Sequence, residues 1–183
     1  MRLVIDTETN AIDFRAWNEG DSSSLKKVHC ICAIDADTGE EYSYSNDTIN
    51  MGLIHVYSAD EVIGHNLRFD IRVMEAYSGT PLPSRINRNC TYKSVKEMFP
   101  NGFREHRITN PDRKGSNSLE AWGYRLGVHK DKVPVDWNSP DPMMLGYCMQ
   151  DCRVTLALHR FIERRKRWGV LSPLIETFIP EIN

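Results

Sequence analysis

The sequence has no excess of charge of either sign: 23 Lys and Arg stand against 25 Asp and Glu, a formal net charge of −2 over 183 residues. An arm-type or histone-like DNA binder draws its affinity from a basic field, so that class is excluded. An acidic disordered tail is excluded too, because 40% of residues are apolar and 9% aromatic. No apolar run approaches the roughly 18 residues of a membrane span, so no membrane partner is expected. The first ten residues carry Arg2, Asp6 and Glu8, which leaves no signal peptide and implies a cytoplasmic chain. Internal repeats and low-complexity tracts are absent as well. The five cysteines are odd in number and poorly placed for disulfides. Cys30 and Cys32 share one face of a predicted strand, and Cys148 and Cys152 lie one helical turn apart, so reduced thiols are expected. The six histidines follow no ligand spacing.

What is present fits one domain covering residues 1–183. Arg2–Asp6 is a short β-branched run that predicts a buried strand, ending in the polar Thr7-Glu8-Thr9-Asn10. Asp13–Lys27 reads as a loop, and Val28–Ile34 as a second strand. The turn Asp37-Thr38-Gly39 leads into a third strand at Glu40–Tyr44, so the first three strands form an antiparallel meander. A helix is predicted over Ile49–Tyr57, a strand over Glu61–Gly64, and a helix over His65–Tyr77 with Phe69, Val73, Met74 and Tyr77 on one stripe. Cys90–Phe99 begins as strand and becomes helix. Ser118 opens a helix that Gly127 stops, and a long helix covers about Met143–Trp168. Pro100–Asn117 and Lys130–Pro142 read as loops. The order gives a mixed α/β domain.

Several acids stand where chemistry would use them. Asp6 and Glu8 are two residues apart on a strand, so both carboxylates reach one space. The chain's 13 Asp and 12 Glu produce about one Asp-x-Glu by chance, so the pair alone is equally a solvated strand end. Two carboxylates at the end of a buried strand repel and lose hydration, which a cation relieves. Asp70 falls in the first turn of its helix, where the dipole favours an anion, and alone reads as a surface charge. Tyr147 and Asp151 are four apart and share a helix face, about 6 Å apart along the axis. Alone they read as a core tyrosine beside a surface acid, and Cys148 and Cys152 as small buried apolar side chains.

Taken together, Asp6-Thr7-Glu8-Thr9, Asn66-x-x-x-Asp70 and Tyr147-x-x-Gln150-Asp151 resemble the motifs of the DEDD superfamily of 3′→5′ exonucleases. The tyrosine-containing kind is indicated, because Gly146 stands where the sister group carries histidine. Ser118-Leu119-Glu120-Ala121-Trp122-Gly123-Tyr124-Arg125-Leu126-Gly127 is similar to a segment of the proofreading domain of family A DNA polymerases from short-tailed bacteriophages. So are Met143-Met144-x-x-Tyr147-x-x-Gln150-Asp151-x-x-x-Thr155 and the C-terminal Phe178-Ile179-Pro180-Glu181-Ile182. One departure is that Tyr92-Lys93 stands where the family often has Asp-Thr.

The resemblance implies a ribonuclease H-like fold, with a mixed five-stranded sheet whose first three strands are antiparallel, flanked by helices. It implies hydrolysis of DNA from the 3′ end to nucleoside 5′-monophosphates, with two divalent ions, Mg²⁺ or Mn²⁺, as cofactors. Carboxylates suffice as ligands for such hard cations. By that analogy Asp6 bridges both ions, Glu8 and Asp151 complete the one on the nucleophile side, and Asp70 supports the other through water. Tyr147, with an ordinary pKa of about 10, orients the attacking water rather than acting as base. Substrate contacts are implied at Thr7, Ile12, Asn66 and Leu119. Ile12 and Leu119 match positions that pack on the terminal base, and equally suit plain core.

The partners implied are the 3′ end of single-stranded DNA and a DNA polymerase, separately encoded unless the chain is an excised domain, in the host cytoplasm if the chain is phage-encoded. Arg104, Arg107, Arg113 and Lys114 in the long loop are candidates for gripping the strand. Arg160, Arg164, Arg165, Lys166 and Arg167 are what a solvated helix end normally carries. Two other readings stand beside this one: an RNA 3′-end trimming enzyme of the same superfamily, and a catalytically silent binding module of a replication complex.

Overall fold

In the computed structural model β1 covers Arg2–Thr9, three residues more than the apolar run predicts. The extra residues stay in the ladder with β2 (Val28–Asp35), where Thr7 lies opposite Ile31 and Glu8 opposite Cys30. Asp6 and Glu8 are therefore inside a strand, and Thr7, Glu8 and Thr9 are buried. The register shifts between Glu8 and Thr9, a bulge that ends regular pairing. Residues 1–10, 12–100, 116–129 and 142–168 are described. The loop cations Arg104, Arg107, Arg113 and Lys114, the predicted loop at 130–141 and the C-terminal Phe178–Ile182 lie outside them.

From β2 the chain turns at Asp35, whose carboxylate accepts from the N–H groups of Asp37 (2.8 Å) and Thr38 (3.1 Å). It returns antiparallel as β3, Glu41–Ser45. β4 (Glu61–Gly64) runs parallel to β1, and β5 (Asn87–Cys90) parallel to β4. The order β3-β2-β1-β4-β5 makes a five-stranded mixed sheet whose first three strands are antiparallel.

Six α-helices flank it among the described residues: α1 (Phe14–Glu19), α2 (Ile49–Ser58), α3 (Arg68–Ser78), α4 (Thr91–Met98), α5 (Leu119–Leu126) and α6 (Pro142–Trp168). α1 interrupts the segment expected to be a loop. Asp13 caps it, accepting from the N–H groups of Arg15 (2.9 Å) and Ala16 (3.1 Å), and Gly20 closes it at φ 106°. It delivers Trp17 to the core, with the Arg72 guanidinium 4.3 Å from the ring centre. α3 starts three residues later than predicted, because Asn66 holds the left-handed φ of 63° and no helix passes through it. Of the predicted stripe, Val73 and Met74 are buried and Phe69 is half-buried. Tyr77, in the last turn, is 43% exposed.

Strand alternation sorts the core into two layers. Leu3 and Ile5 join Ile31 and Ala33 beneath α2 and α3, including Leu53, Val73 and Met74. Val4 joins Cys30, Cys32, Ile34 and Ile63 beneath α6, which contributes Met144, Cys148, Met149, Cys152 and Leu156. β2, covered on both faces, is accordingly apolar nearly throughout. A third cluster of Val95, Trp122, Leu158 and Ile162 binds α4 and α5 to α6. Arg153 clamps α6 to β3 through two 2.7 Å bonds to the Glu41 carboxylate. Among the described residues no helix is long and apolar enough to cross a membrane.

Candidate metal centre

β1 outruns β4. Their last aligned pair is Val4 and Ile63, so the second half of β1 forms a ledge where β4 has ended. The chain leaves β4 at Gly64, and a Cβ there would lie 2.8 Å from Leu67 Cδ1 and 3.5 Å from the Ile5 carbonyl oxygen. Asn66 then reverses the chain, and α3 begins beside the ledge with Asp70 in its first turn. Asp70 Oδ1 accepts from the Thr7 backbone N–H at 3.1 Å and from Thr7 Oγ1 at 2.9 Å. The carboxylate supplies the acceptor that the shorter strand does not reach.

Asp6 and Glu8 leave the other face of β1, toward α6. A carboxylate oxygen of each and the Cys148 sulfur all lie within 4.8 Å of one another. Cys148 Sγ–H donates to the Asp6 carbonyl at 3.3 Å, so α6 rests directly on the strand here. One turn along α6 from the half-buried Tyr147 comes Asp151, buried with 6% exposure. Asp70 is only 4% exposed. The readings of Asp70 and Asp151 as solvated surface charges are thereby set aside.

Electrostatics link the acids. Burial pushes the Asp70 carboxyl up to about 7, with the charge of Asp151 adding to it, and the bonds from Thr7 pull the other way without matching it. The Cys152 thiol is raised chiefly by burial, and next by Asp6, with Asp151 and Asp70 also contributing. The charges of three of the four acids therefore bear on one buried sulfur, and the fourth, Glu8, is beside Asp6. Burial likewise keeps the Cys148 thiol protonated, which leaves oxygen as the charged donor at this site.

The other predicted residues are distributed around the ledge. Thr7 spends its hydroxyl on Asp70 and is 4% exposed. Asn66 is exposed, in the turn between β4 and α3. Ile12 is half-buried and packs against the core under α2 and α3. Leu119, 9% exposed, is the first residue of α5, which Ser118 caps by accepting from the Ala121 N–H at 3.2 Å. Gln150 of the last motif donates to the His129 carbonyl at 2.6 Å, tying the end of α5 to α6. In the basic end of α6, Arg165 lies 5.7 Å from the Phe161 ring centre and Lys166 pairs with Glu163 at 3.2 Å.

Spacing assigns no histidine a role, yet His65 ties three elements together. Its Nδ1 bonds Thr91 Oγ1 at 3.0 Å and its Nε2 meets the Asn117 carbonyl at 3.1 Å, while its ring meets Tyr92 edge-on. It fixes the turn that holds Asn66 to the start of α4 and to the segment that opens α5. No local sequence signal announces this, because each partner is far along the chain.

Neighbouring carboxylates such as those of Asp6 and Glu8 suit hard divalent cations, which favour oxygen ligands. No model of a known protein family matches the sequence. The DNA-directed DNA polymerase of Escherichia phage T7 is 26% identical over an alignment covering 85% of this chain. The chain spans 26% of that polymerase's length. The two are distantly similar, and the similarity runs through most of this chain.

Proposed function

We propose that this chain is a metal-dependent 3′→5′ DNA exonuclease of the tyrosine-containing DEDD kind, with a ribonuclease H-like fold. It releases nucleoside 5′-monophosphates from a single-stranded 3′ end and serves proofreading in phage-type DNA replication. The observation that carries this reading is the ledge of β1: Asp6 and Glu8 on one face, Asp70 bonded to the peptide between them, and Asp151 within Asp70's field. The distant similarity to a phage DNA polymerase supports the choice of DNA and of replication.

The donor set fits Mg²⁺ or Mn²⁺. The charged atoms are carboxylate oxygens, and a cation would offset the burial that holds Asp70 protonated up to about 7. Asp6, Glu8 and Asp151 would hold the ions, with Asp70 supporting from the α3 side. Bound in a pair, such ions activate water and stabilise the departing 3′ oxygen. The chain's own groups position the reactants. Thr7 holds Asp70 in register with Asp6 and Glu8. Tyr147 orients the attacking water from α6. Ile12 and Leu119 pack on the terminal base, a contact that tolerates any of the four bases, and Asn66 meets the sugar-phosphate backbone.

A labelled single-stranded DNA oligonucleotide incubated with the protein and Mg²⁺ or Mn²⁺ tests this. Stepwise shortening from the 3′ end is expected for the wild type, and none for Asp151→Ala. Equal or faster shortening of the matching RNA strand makes it an RNA-trimming enzyme. Absence of mononucleotides from either strand makes it a silent module.

A further inference from the structure

The register of β1 on β2 sets two sulfurs beside two carboxylates. Asp6 lies opposite Cys32 and Glu8 opposite Cys30, so all four side chains emerge on the face beneath α6. Cys148 descends from α6 over this square, and the sulfurs of Cys30, Cys32 and Cys148 all lie within 4.8 Å of one another. The same Cys148 sulfur is also within 4.8 Å of the Asp6 and Glu8 carboxylates. Oxygen donors and sulfur donors thus form two adjoining sets with one shared corner. All three cysteines are free thiols, with exposures of 2%, 0% and 0% for Cys30, Cys32 and Cys148.

We propose that Cys30, Cys32 and Cys148 form a second cation site, for a thiophilic d¹⁰ ion such as Zn²⁺ or Cd²⁺, adjoining the carboxylate centre at Cys148. A metal–sulfur bond of about 2.3 Å with three sulfurs puts the sulfurs about 3.8 to 4.0 Å apart, so the existing cluster contracts by less than about 1 Å to close on an ion. Packing alone does not call for three sulfurs in mutual contact, since Ala or Val fills such a position without a polar atom. Hard ions prefer the oxygens and soft ions the sulfurs, so the two sets sort cations by chemistry. Binding exchanges thiol protons for the metal, three S–H bonds giving three S–metal bonds with the protons released to water. Nothing in this site depends on the nuclease reading.

The test is titration of the reduced, folded protein with Cd²⁺ in excess Mg²⁺, following the ultraviolet thiolate-to-cadmium charge-transfer band. A band that saturates at one equivalent is expected for the wild type, for Asp6→Asn and for Cys90→Ser. Its loss is expected in Cys30→Ser, Cys32→Ser and Cys148→Ser. Cadmium-113 resonance on the wild type gives a readout that needs no variant, with a shift typical of several sulfur ligands expected. A silent wild type, a shift typical of oxygen ligands, or an undiminished band in folded Cys32→Ser would overturn the site.

Discussion

Asp70 is a carboxylate held where its charge is unwelcome, and its consequences are measurable without any substrate. In metal-free buffer its folded value is raised to about 7 from an ordinary 3.8 by burial, with the charge of Asp151 adding to it and Thr7 donating to it. Between those two values the folded chain binds a proton that the unfolded chain does not. This residue's contribution to stability is therefore greatest at low pH and is lost as pH rises through about 7. In EDTA, the melting temperature of Asp70→Asn should gain on that of wild type between about pH 5 and about pH 8. A gap constant across that range would show that Asp70 titrates normally. Asp6→Asn belongs to the same scale. It should lower exonuclease turnover roughly a thousandfold, several kcal/mol of lost charge stabilisation, with an unchanged circular dichroism spectrum. Retained turnover would remove Asp6 from the chemistry.

Elements declare themselves in sequence to the degree that their signals are local. β4 has the predicted bounds Glu61–Gly64, and α5 the predicted cap at Ser118 and stop at Gly127. The antiparallel meander was legible from three early strand-like runs, the last two joined by a tight turn at Asp37-Thr38-Gly39. α1 was not, because six residues are too few for a period to register, and only Asp13 and Gly20 mark its ends. The cap should matter in proportion: Asp13→Ala is expected to cost about 1 kcal/mol in chemical denaturation, since two N–H groups lose their acceptor. Gly64→Ala should cost a similar amount, about 1 kcal/mol, because the added methyl meets Leu67 Cδ1 at 2.8 Å and that buried side chain must move aside. A cost below half a kcal/mol would mean the turn relaxes freely.

At the scale of the whole molecule, the order of acids along the chain was legible and their assembly was not. Asp6, Glu8, Asp70 and Asp151 could be picked out by motif. The bond from Thr7 to Asp70 depends on where β4 stops relative to β1, a difference of strand lengths that no single segment records. The same holds for the sulfurs that the β2 register sets beside the acids. A net charge of −2 also takes on a specific meaning, since four of the 25 acids belong to the proposed centre. Grip on DNA should then be weak and metal-dependent. With a 3′-phosphorothioate oligonucleotide that resists cleavage, EDTA is expected to weaken binding at least roughly tenfold in fluorescence anisotropy. Tight binding that ignores EDTA would put the grip elsewhere.

The ledge of β1 has one more implication. Asp6, the Thr7 amide that anchors Asp70, and Glu8 are consecutive on one extended strand. The interval between them is graduated by covalent bonds, like marks on a ruler, and not by the fit of distant side chains. Erosion of the core away from α5 and α6, for instance Val56→Ala in α2, should shorten the protein's life at high temperature while each surviving molecule keeps its spacing. Specific activity per folded molecule should then stay level as the melting point falls, and drop only when β1 itself comes apart.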